Sequence, residues 1–179
     1  MHPAKRVPPL PQPESLEKPA QVSIRPGDLS IAADQTAVIG LLNSYASQLV
    51  GRMRPLDDSV ECSLIAGLQK QPACRLFFAE VDGHIVGMAL CFLGYSTFKG
   101  APLINIHDLA VYPGFQRRGI GSQLLRAVSD FARQHRHCAV TLEVQANNPA
   151  RMLYARHGFE VLDVPADDSA VLFGKLEIA

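Results

Sequence analysis

The sequence predicts an α/β fold built around one central mixed β-sheet with about four flanking helices. The first observation is the Asp82-Gly83 pair, which lies between the β-prone runs 76–81 and 85–90 and is typical of a tight antiparallel hairpin. The second is a strand-like run over 103–111, followed by an amphipathic helical pattern and another apolar run over 139–144. A strand–helix–strand step of this kind joins parallel strands, so the sheet is expected to begin antiparallel and continue parallel.

The elements before the hairpin follow from local patterns. Residues 22–25 alternate apolar and polar side chains before Pro26-Gly27, which predicts a short first strand that ends in a turn. Apolar residues then recur at helical spacing from Val38 to Val50, and Gly51 is placed to end that helix. Residues 57–59 are suited to cap a second helix.

The elements after the pivotal strand over 103–111 alternate in type. A helix that begins near Gly121 has one apolar and one polar face, so we expect it to pack on the sheet. A short helix over 149–157 opens with proline in its first turn and stops at Gly158. The runs 159–162 and 171–178 supply two closing strands.

The composition predicts one globular domain behind a proline-rich arm. The chain has 47% hydrophobic and 19% charged residues, ordinary values for a single domain, which we place over 22–179. Residues 1–21 contain six of the thirteen prolines and few large apolar side chains, so they are expected to form a flexible N-terminal arm. This arm lacks the apolar stretch of a signal peptide, and charges and prolines interrupt every long apolar run. We therefore expect a cytoplasmic protein.

Charge and cysteine content narrow the ligands. Seventeen basic and seventeen acidic residues cancel, so we expect no nucleic-acid or membrane partner, and any anion site must be local. Cys62, Cys74, Cys91 and Cys138 form no C-x-x-C pair and fall mostly in apolar runs. They are expected to be reduced core residues, and no metal site is predicted.

Residues 116–121, with the sequence Gln-Arg-Arg-Gly-Ile-Gly, lie between the pivotal strand and the amphipathic helix. In this arrangement, unpaired backbone N–H groups and the helix dipole converge on an anion. Gly119 and Gly121 let the backbone approach a phosphate closely, and Arg117-Arg118 adds charged donors. Ligands of open α/β sheets also collect beyond the carboxyl ends of the strands, where this turn lies. The sequence therefore predicts an anion site here.

The phosphate motifs of other nucleotide-binding proteins are missing from the sequence. No Gly-x-x-x-x-Gly-Lys-Ser/Thr run follows a strand, and no Gly-x-Gly-x-x-Gly run stands with an acidic residue about twenty positions on. ATP and NAD are therefore disfavoured as ligands of the turn.

The run 109–113, Leu-Ala-Val-Tyr-Pro, followed by residues 116–121 closely resembles the acetyl-CoA signature of the GNAT superfamily of N-acetyltransferases. Downstream, residues 147–159 follow the pattern Asn-x-x-Ala-x-x-Leu-Tyr-x-x-x-Gly-Phe, which is similar to the second CoA-contacting segment of that superfamily. The resemblance implies the GNAT acyl-CoA N-acyltransferase fold and the transfer of an acetyl group from acetyl-CoA to an amine.

The resemblance also implies roles for individual residues. The backbones of Leu109 and Val111 would pair with the pantetheine arm of the cofactor in the manner of an added strand. Residues 116–122 would hold the pyrophosphate, and Asn147 would contact the pantetheine arm or the thiol region. The implied cofactor-binding residues are Leu109, Ala110, Val111, Gln116, Arg117, Arg118, Gly119, Ile120, Gly121, Ser122, Asn147 and Tyr154.

Transfer of acetyl from a thioester to an amine needs a neutral nucleophile, a polarised carbonyl and a proton for the departing thiolate. Tyr154 matches the superfamily tyrosine that protonates the sulfur. His107 and Asp108 are the candidate bases, and His107 is preferred because histidine side chains titrate close to neutral pH. On a regular strand these two side chains point to opposite faces, so only one faces the acceptor unless a bulge intervenes. An amine that is already neutral needs no base once it is positioned.

The acceptor is less well defined. Residues 94–100, followed by the pivotal strand, resemble the spermidine/spermine (diamine) acetyltransferase branch, which implies a primary amine on a small molecule such as a polyamine, a diamine or an amino-acid-like compound. His107 stands where that branch carries a glutamate. Residues 95–98 also fit a loop that packs on its own sheet or on a partner subunit.

Two other functions fit the same motifs. A non-catalytic CoA-binding sensor or assembly module would keep the anion site without transferring acetyl, and the proline-rich arm would serve a partner. A protein-directed acetyltransferase would need a groove for an extended peptide. Many members of the superfamily are dimers, so the resemblance implies a homodimer.

Overall fold

The computed structural model describes residues 21–47, 54–161 and 170–178. Residues 1–20 of the proline-rich arm predicted over 1–21, Gly51 and the segment 162–169 lie outside the described residues. The flexible arm therefore stays a prediction, whereas the helix predicted to end at Gly51 ends at Ala46, with Ser47 as its C-cap.

The helices and strands of the described residues follow one another in the order that the sequence pattern predicts. None of the described helices has the length and apolar character needed to cross a bilayer. In chain order the elements are β1 (Val22–Pro26), α1 (Ala32–Ala46), α2 (Asp58–Gln69), β2 (Cys74–Val81), β3 (His84–Ser96), β4 (Ala101–Val111), a 3-10 turn (Pro113–Phe115), α3 (Ile120–Gln134), β5 (Ala139–Gln145), α4 (Arg151–Arg156), β6 (Glu160–Val161) and β7 (Val171–Glu177).

The described strands form one sheet in the order β1-β2-β3-β4-β5-β7-β6. Neighbouring strands are antiparallel except β4 and β5, which are parallel and are connected through α3. Asp82 and Gly83 both take positive φ, 50° and 77°, as a two-residue hairpin turn requires. The predicted mixed sheet with an antiparallel beginning is therefore confirmed.

β4 and β5 are paired over a short stretch only. Residues 104–106 of β4 face residues 140–142 of β5. Beyond that stretch, residues 107–111 and 143–145 continue as strands but do not pair with each other. We call this opening the β4–β5 split. It leaves one edge of β4 free for hydrogen bonding.

A β-bulge at His107 changes which way the β4 side chains point. The consecutive β3 residues 90 and 91 face Asp108 and Ile106, so His107 is an extra residue on β4. Ile106, before the bulge, is buried on the α3 side of the sheet, whereas Ala110, after it, is buried on the α1 side. His107 and Asp108 therefore share the α1-side face, and the opposite orientations expected for a regular strand do not occur.

The sheet buries an apolar core on each face. The α3-side core includes Leu124 and Val128 of α3 packed on residues of β4 and β5. The α1-side core is smaller and contains Val38 and Leu41 of α1 with Leu68 of α2, packed on β2 and β3. Each helix layer therefore has its own apolar contact with the sheet, which fixes α1 and α3 on opposite sides of β4.

The four cysteines are free thiols that differ in burial. Cys91 is buried in the sheet, Cys74 and Cys138 are half-buried, and Cys62 is exposed. The prediction that the cysteines are mostly core residues is wrong for Cys62, because it lies on the outer face of α2, away from the sheet.

An ionic network fixes the start of α1 to the sheet. Asp34 is fully buried, and its carboxylate accepts hydrogen bonds from Arg25 Nη1 and Nη2 at 2.9 and 2.7 Å and from the Asp28 N–H at 2.8 Å. Arg25 also donates through Nε to Glu80 at 2.6 Å. The Arg25 hydrogen bond holds the pKa of Asp34 below its usual range, because it stabilises the charged form. The network ties α1 to β1 and β2.

Replacing Asp34 with alanine is expected to lower the free energy of unfolding by about 2 kcal/mol, a low value for a broken buried pair because Arg25 is partly exposed. Urea denaturation at pH 7 measures the loss. The loss of stability should shrink as pH falls from the unfolded-state pKa of about 4 toward the lowered pKa of Asp34 in the folded state. Over that range the carboxylate becomes protonated, and the ion pair no longer stabilises the wild type.

The matched control is Asp130→Ala, which removes an exposed ion pair with Arg133 on α3. It should cost less than about 0.5 kcal/mol. Equal losses for the two variants would contradict the role assigned to Asp34.

Candidate functional site

The predicted anion site, residues 116–122, follows the 3-10 turn at the end of β4 and leads into α3. We call it the anion cradle. Its backbone takes positive φ at Arg117 (61°) and at Gly119 (79°). A Cβ at Gly119 would meet no atom within 4 Å, so glycine is favoured there for its conformation rather than for lack of space. Left-handed residues next to right-handed ones turn successive N–H groups toward one concave side.

The cradle presents free donors. The backbone N–H groups of residues 117–122 donate no hydrogen bond to another described residue. The first turn of a helix leaves such groups without intrahelical partners, and the helix dipole favours negative charge at this end. Arg117 and Arg118 are exposed beside them. The residues present therefore fit a phosphate or a pyrophosphate.

The cradle is anchored where it begins. The Phe115 ring is 3% exposed and packs in the α3-side core, and the Arg118 guanidinium lies 5.5 Å from the centre of that ring. Gln116 donates a hydrogen bond from Nε2 to the Val111 carbonyl at 2.9 Å. Because these contacts order the turn before a ligand arrives, binding loses less conformational entropy.

The second motif, residues 147–159, packs against the cradle. Asn148 Oδ1 accepts a hydrogen bond at 2.8 Å from the backbone N–H two residues on, so α4 begins at residue 151 rather than at the proline two residues earlier. A Cβ at Gly121 would lie 3.1 Å from Leu153 Cδ2, which shows that α3 and α4 touch beside the cradle. Asn147 is exposed on the turn after β5. The two motifs therefore meet in space.

Tyr154 lies on α4 and is 7% exposed, with its ring 5.9 Å from that of Phe159. Burial raises the pKa of Tyr154, and the neighbouring hydroxyl of Tyr45 raises it further. Both effects disfavour the phenolate. The Tyr154 hydroxyl therefore keeps its proton at neutral pH.

Asp108 lies at the split and is half-buried. Burial raises the pKa of Asp108, and the adjacent His107 lowers it by a smaller amount. Burial and then the charge of Asp108 raise the pKa of Tyr45 on α1. Tyr45 on α1 therefore lies within electrostatic range of both Asp108 on β4 and Tyr154 on α4.

His107 lies at the rim of this group rather than inside it. Its side chain is exposed, and its ring meets the Phe92 ring edge-on, with 5.5 Å between centroids and 80° between planes. The bulge brings His107 and Asp108 to the same face of the sheet. The two candidate bases predicted from the sequence therefore lie side by side and not on opposite faces.

The predicted cofactor residues on β4 offer mainly backbone groups. The Ala110 side chain is buried in the α1-side core, and Leu109 and Val111 pack against the α3-side core. These three residues line the edge of β4 that has no β5 partner. An extended ligand with amide groups can pair with such an edge.

Two residues of this region were not predicted as site residues. Tyr45 looks like part of the apolar face of α1, although a buried tyrosine usually places its hydroxyl near a polar partner. Glu143 lies on β5 across the split, where Asn105 Nδ2 donates to Thr141 Oγ1 at 3.1 Å and to Glu143 Oε2 at 3.2 Å. A charged residue within an apolar strand at the carboxyl end of a parallel pair is the signal that marks it.

The fold and the site fit the binding of a phosphate-bearing ligand with an extended arm. Comparison with known proteins supplies the class: residues 37–159 match the sequence model of the acetyltransferase (GNAT) family. The Bacillus subtilis protein called uncharacterized N-acetyltransferase YhfO is 30% identical over 135 residues, which are 72% of this chain and 85% of that protein.

Two further relatives have more specific names. L-2,4-diaminobutyric acid acetyltransferase of Nocardia farcinica is 26% identical over 168 residues, 91% of this chain and 83% of that enzyme. N-alpha-acetyltransferase RimI of Mycobacterium tuberculosis is 45% identical over 85 residues, 46% of this chain and 49% of RimI.

Solved structures share the fold. Salmonella typhimurium YncA, solved with its cofactor acetyl-CoA, gives a TM-score of 0.65 at 18% identity and covers 89% of this chain and 95% of its own. This chain belongs to the acetyltransferase (GNAT) family. It is an acyltransferase that takes the acetyl group from acetyl-CoA, so a sensor without transfer activity is not supported.

Replacing Asp108 with asparagine is expected to raise the melting temperature at pH 7.5 by a few degrees. The pKa of Asp108 is raised in the folded state, so its protonated form favours folding below the unfolded-state pKa of about 4. As pH rises through the pKa of the folded state, the carboxyl is charged while buried, and it then opposes folding. The variant removes that opposition, so its advantage should vanish near pH 4. Calorimetric melting at the two pH values measures it.

The control for this experiment is Asp82→Asn, in the exposed β2–β3 turn, where asparagine suits the positive φ equally well. It should leave the melting temperature almost unchanged at both pH values. If the Asp108→Asn variant melts at a lower temperature than the wild type at pH 7.5, the charged carboxylate of Asp108 stabilises the wild type, and the prediction is wrong.

Proposed function

We propose that this acetyltransferase acts on a primary amine of a small cationic molecule, such as a polyamine, a diamine or an amino-acid-like compound, by direct attack in a ternary complex. One observation carries the proposal: Asp108 lies on β4 just beyond the residues that pair with β5, and both Asp108 and Tyr154 interact electrostatically with Tyr45. Asp108 as proton acceptor and Tyr154 as proton donor would then act beside the free edge of β4.

Acetyl-CoA supplies the acetyl group as a reactive thioester. The N–H groups of residues 117–122 and the side chains of Arg117-Arg118 would bind its pyrophosphate. The backbone of residues 109–111 would bind the amide groups of the pantetheine arm like an added strand, and Asn147 would contact the arm from the turn after β5. The cradle and the free edge support this placement, because the β4 edge without a β5 partner is followed, after the 3-10 turn, by the donors of the cradle.

Tyr154 would donate its phenolic proton to the sulfur atom as the carbon–sulfur bond breaks. Its buried position supports this role, because a phenol that stays protonated can donate a hydrogen bond to developing negative charge.

Asp108 would accept the proton that the attacking amine loses. A carboxyl whose pKa is raised by burial is a stronger base than an exposed aspartate, which favours Asp108 over His107 for this step. His107, exposed beside it, would pass the proton to solvent.

The acceptor side of the split carries two carboxyl groups, and these support a cationic acceptor. Glu143 is exposed, and its carboxylate contacts the neutral amide of Asn105. Together with Asp108 it would attract a molecule that bears a second ammonium group. The relative named for diaminobutyric acid matches nearly the whole chain, which favours the same class of acceptor.

A protein N-terminus is the second candidate acceptor, and the likeness to RimI favours it. Thiol release from acetyl-CoA should therefore be measured with spermidine, 2,4-diaminobutyrate, a simple monoamine and short peptides. Turnover with the diamines and none with the peptides supports the proposal. The reverse pattern would establish the second candidate.

Replacing Tyr154 with phenylalanine is expected to lower kcat about 100-fold, because the departing sulfur loses its proton donor. The KM for acetyl-CoA should stay within about twofold, since the cradle is untouched. Steady-state thiol release with a saturating acceptor measures both constants. Tyr95→Phe, on the exposed end of β3, is the matched control. An unchanged kcat in Tyr154→Phe would remove the assigned acid.

Replacing Glu143 with glutamine is expected to raise the KM for a diamine about tenfold, the effect of losing one charge-assisted contact. The KM for a monoamine should change much less. Glu160→Gln, exposed on β6, is the control. Equal changes for the diamine and the monoamine would show that Glu143 does not bind the second ammonium group.

A further inference from the structure

Tyr112 joins β4 to the 3-10 turn that carries the anion cradle. Its N–H donates a hydrogen bond to the Val86 carbonyl at 3.0 Å, and its own carbonyl accepts one from Phe115 N–H at 2.8 Å. The backbone of Tyr112 is therefore the fixed point from which the cradle starts.

The side chain of Tyr112 crosses to the opposite layer of the molecule. It is half-buried and packs against both the α3-side and the α1-side cores. Its hydroxyl ends on α1: a Cβ built on Gly40 would lie 2.5 Å from Tyr112 Oη, and the next atom of the ring, Cζ, would be 3.8 Å away. The hydroxyl oxygen alone occupies the space that any side chain at Gly40 would need.

Glycine in the middle of α1 is costly, since it is worse than alanine by about 1 kcal/mol in a helix interior. Gly67 on α2 shows the contrast, because a Cβ there would meet no atom within 4 Å. Gly40 is different in that the neighbouring Tyr112 excludes a side chain. The two residues fit each other sterically.

We propose that Gly40 and Tyr112 form a strut through which α1 sets the position of the anion cradle. Tyr112 is then a positioning residue for the cofactor, acting through the turn that follows it. The same helix carries Tyr45, so α1 links the cradle to the face of the sheet on which Asp108 lies. This inference rests on the proposed binding of CoA to residues 116–122.

The test is a double-mutant cycle read by calorimetric binding of CoA. Gly40→Ala forces the Tyr112 ring away from α1 and is expected to weaken CoA binding about tenfold and to raise the KM for acetyl-CoA with a smaller effect on kcat. In the background of Tyr112→Phe, the nearest atom is 3.8 Å away, so adding Gly40→Ala should no longer weaken binding.

Gly67→Ala is the matched control, because it makes the same change in a helix where space is open. It should leave the affinity for CoA unchanged. The proposal is overturned if Gly40→Ala binds CoA like the wild type, or if its loss of affinity is equally large in the Tyr112→Phe background.

Two further outcomes are separable. If the wild type itself does not bind CoA, the proposed cofactor site is wrong, and the strut is overturned with it. If Gly40→Ala does not fold, Tyr112→Leu, which withdraws the ring from α1 without adding atoms, should give the same loss of CoA affinity. Unchanged affinity in that variant would overturn the strut while leaving the cofactor site intact.

Discussion

Hydrogen bonding between β4 and β5 stops after residues 106 and 142, and the features of the candidate site depend on that interruption. Continued parallel pairing would satisfy the backbone groups of residues 107–111 and leave no edge for an extended ligand. The 3-10 turn and the anion cradle join the end of β4 to α3, so the N–H groups of the cradle follow the same free edge in the chain. One break in the ladder thus supplies both a binding edge and an anion site.

The bulge at His107 decides which face of the sheet the Asp108 side chain points to beside that opening. If β4 were a regular strand at this point, Asp108 would share the face of Ile106 and point into the α3-side core, where a carboxyl has no polar partner. With the bulge, Asp108 faces the α1 side, while Ile104 and Ile106 stay buried beneath α3. A single inserted residue therefore lets one strand serve two faces, which is a common use of bulges near functional sites.

The fold was predictable where local chemistry decides it. The Asp82-Gly83 turn and the cradle with Gly119 need positive φ, and glycine marks such positions in a sequence. The bulge was not predictable, because an extra residue is defined only by the register of the partner strand. Tyr45 and Glu143 were missed for a similar reason: their neighbours Asp108 and Asn105 are distant in sequence. Local pattern therefore reveals the conformation of the anion cradle better than the surroundings of Asp108.

The short pairing of β4 with β5 also divides the sheet into two blocks. Strands β1 to β4 form one, and β5, β7 and β6 form the other, with residues 104–106 and 140–142 as the backbone seam between them. A ligand that fills the split would extend this seam by its own hydrogen bonds, much as a missing strand completes a sheet. The two blocks would then be held together more strongly in the protein with bound cofactor than in the free protein. The stability of the molecule against unfolding and proteolysis would therefore increase with the concentration of cofactor.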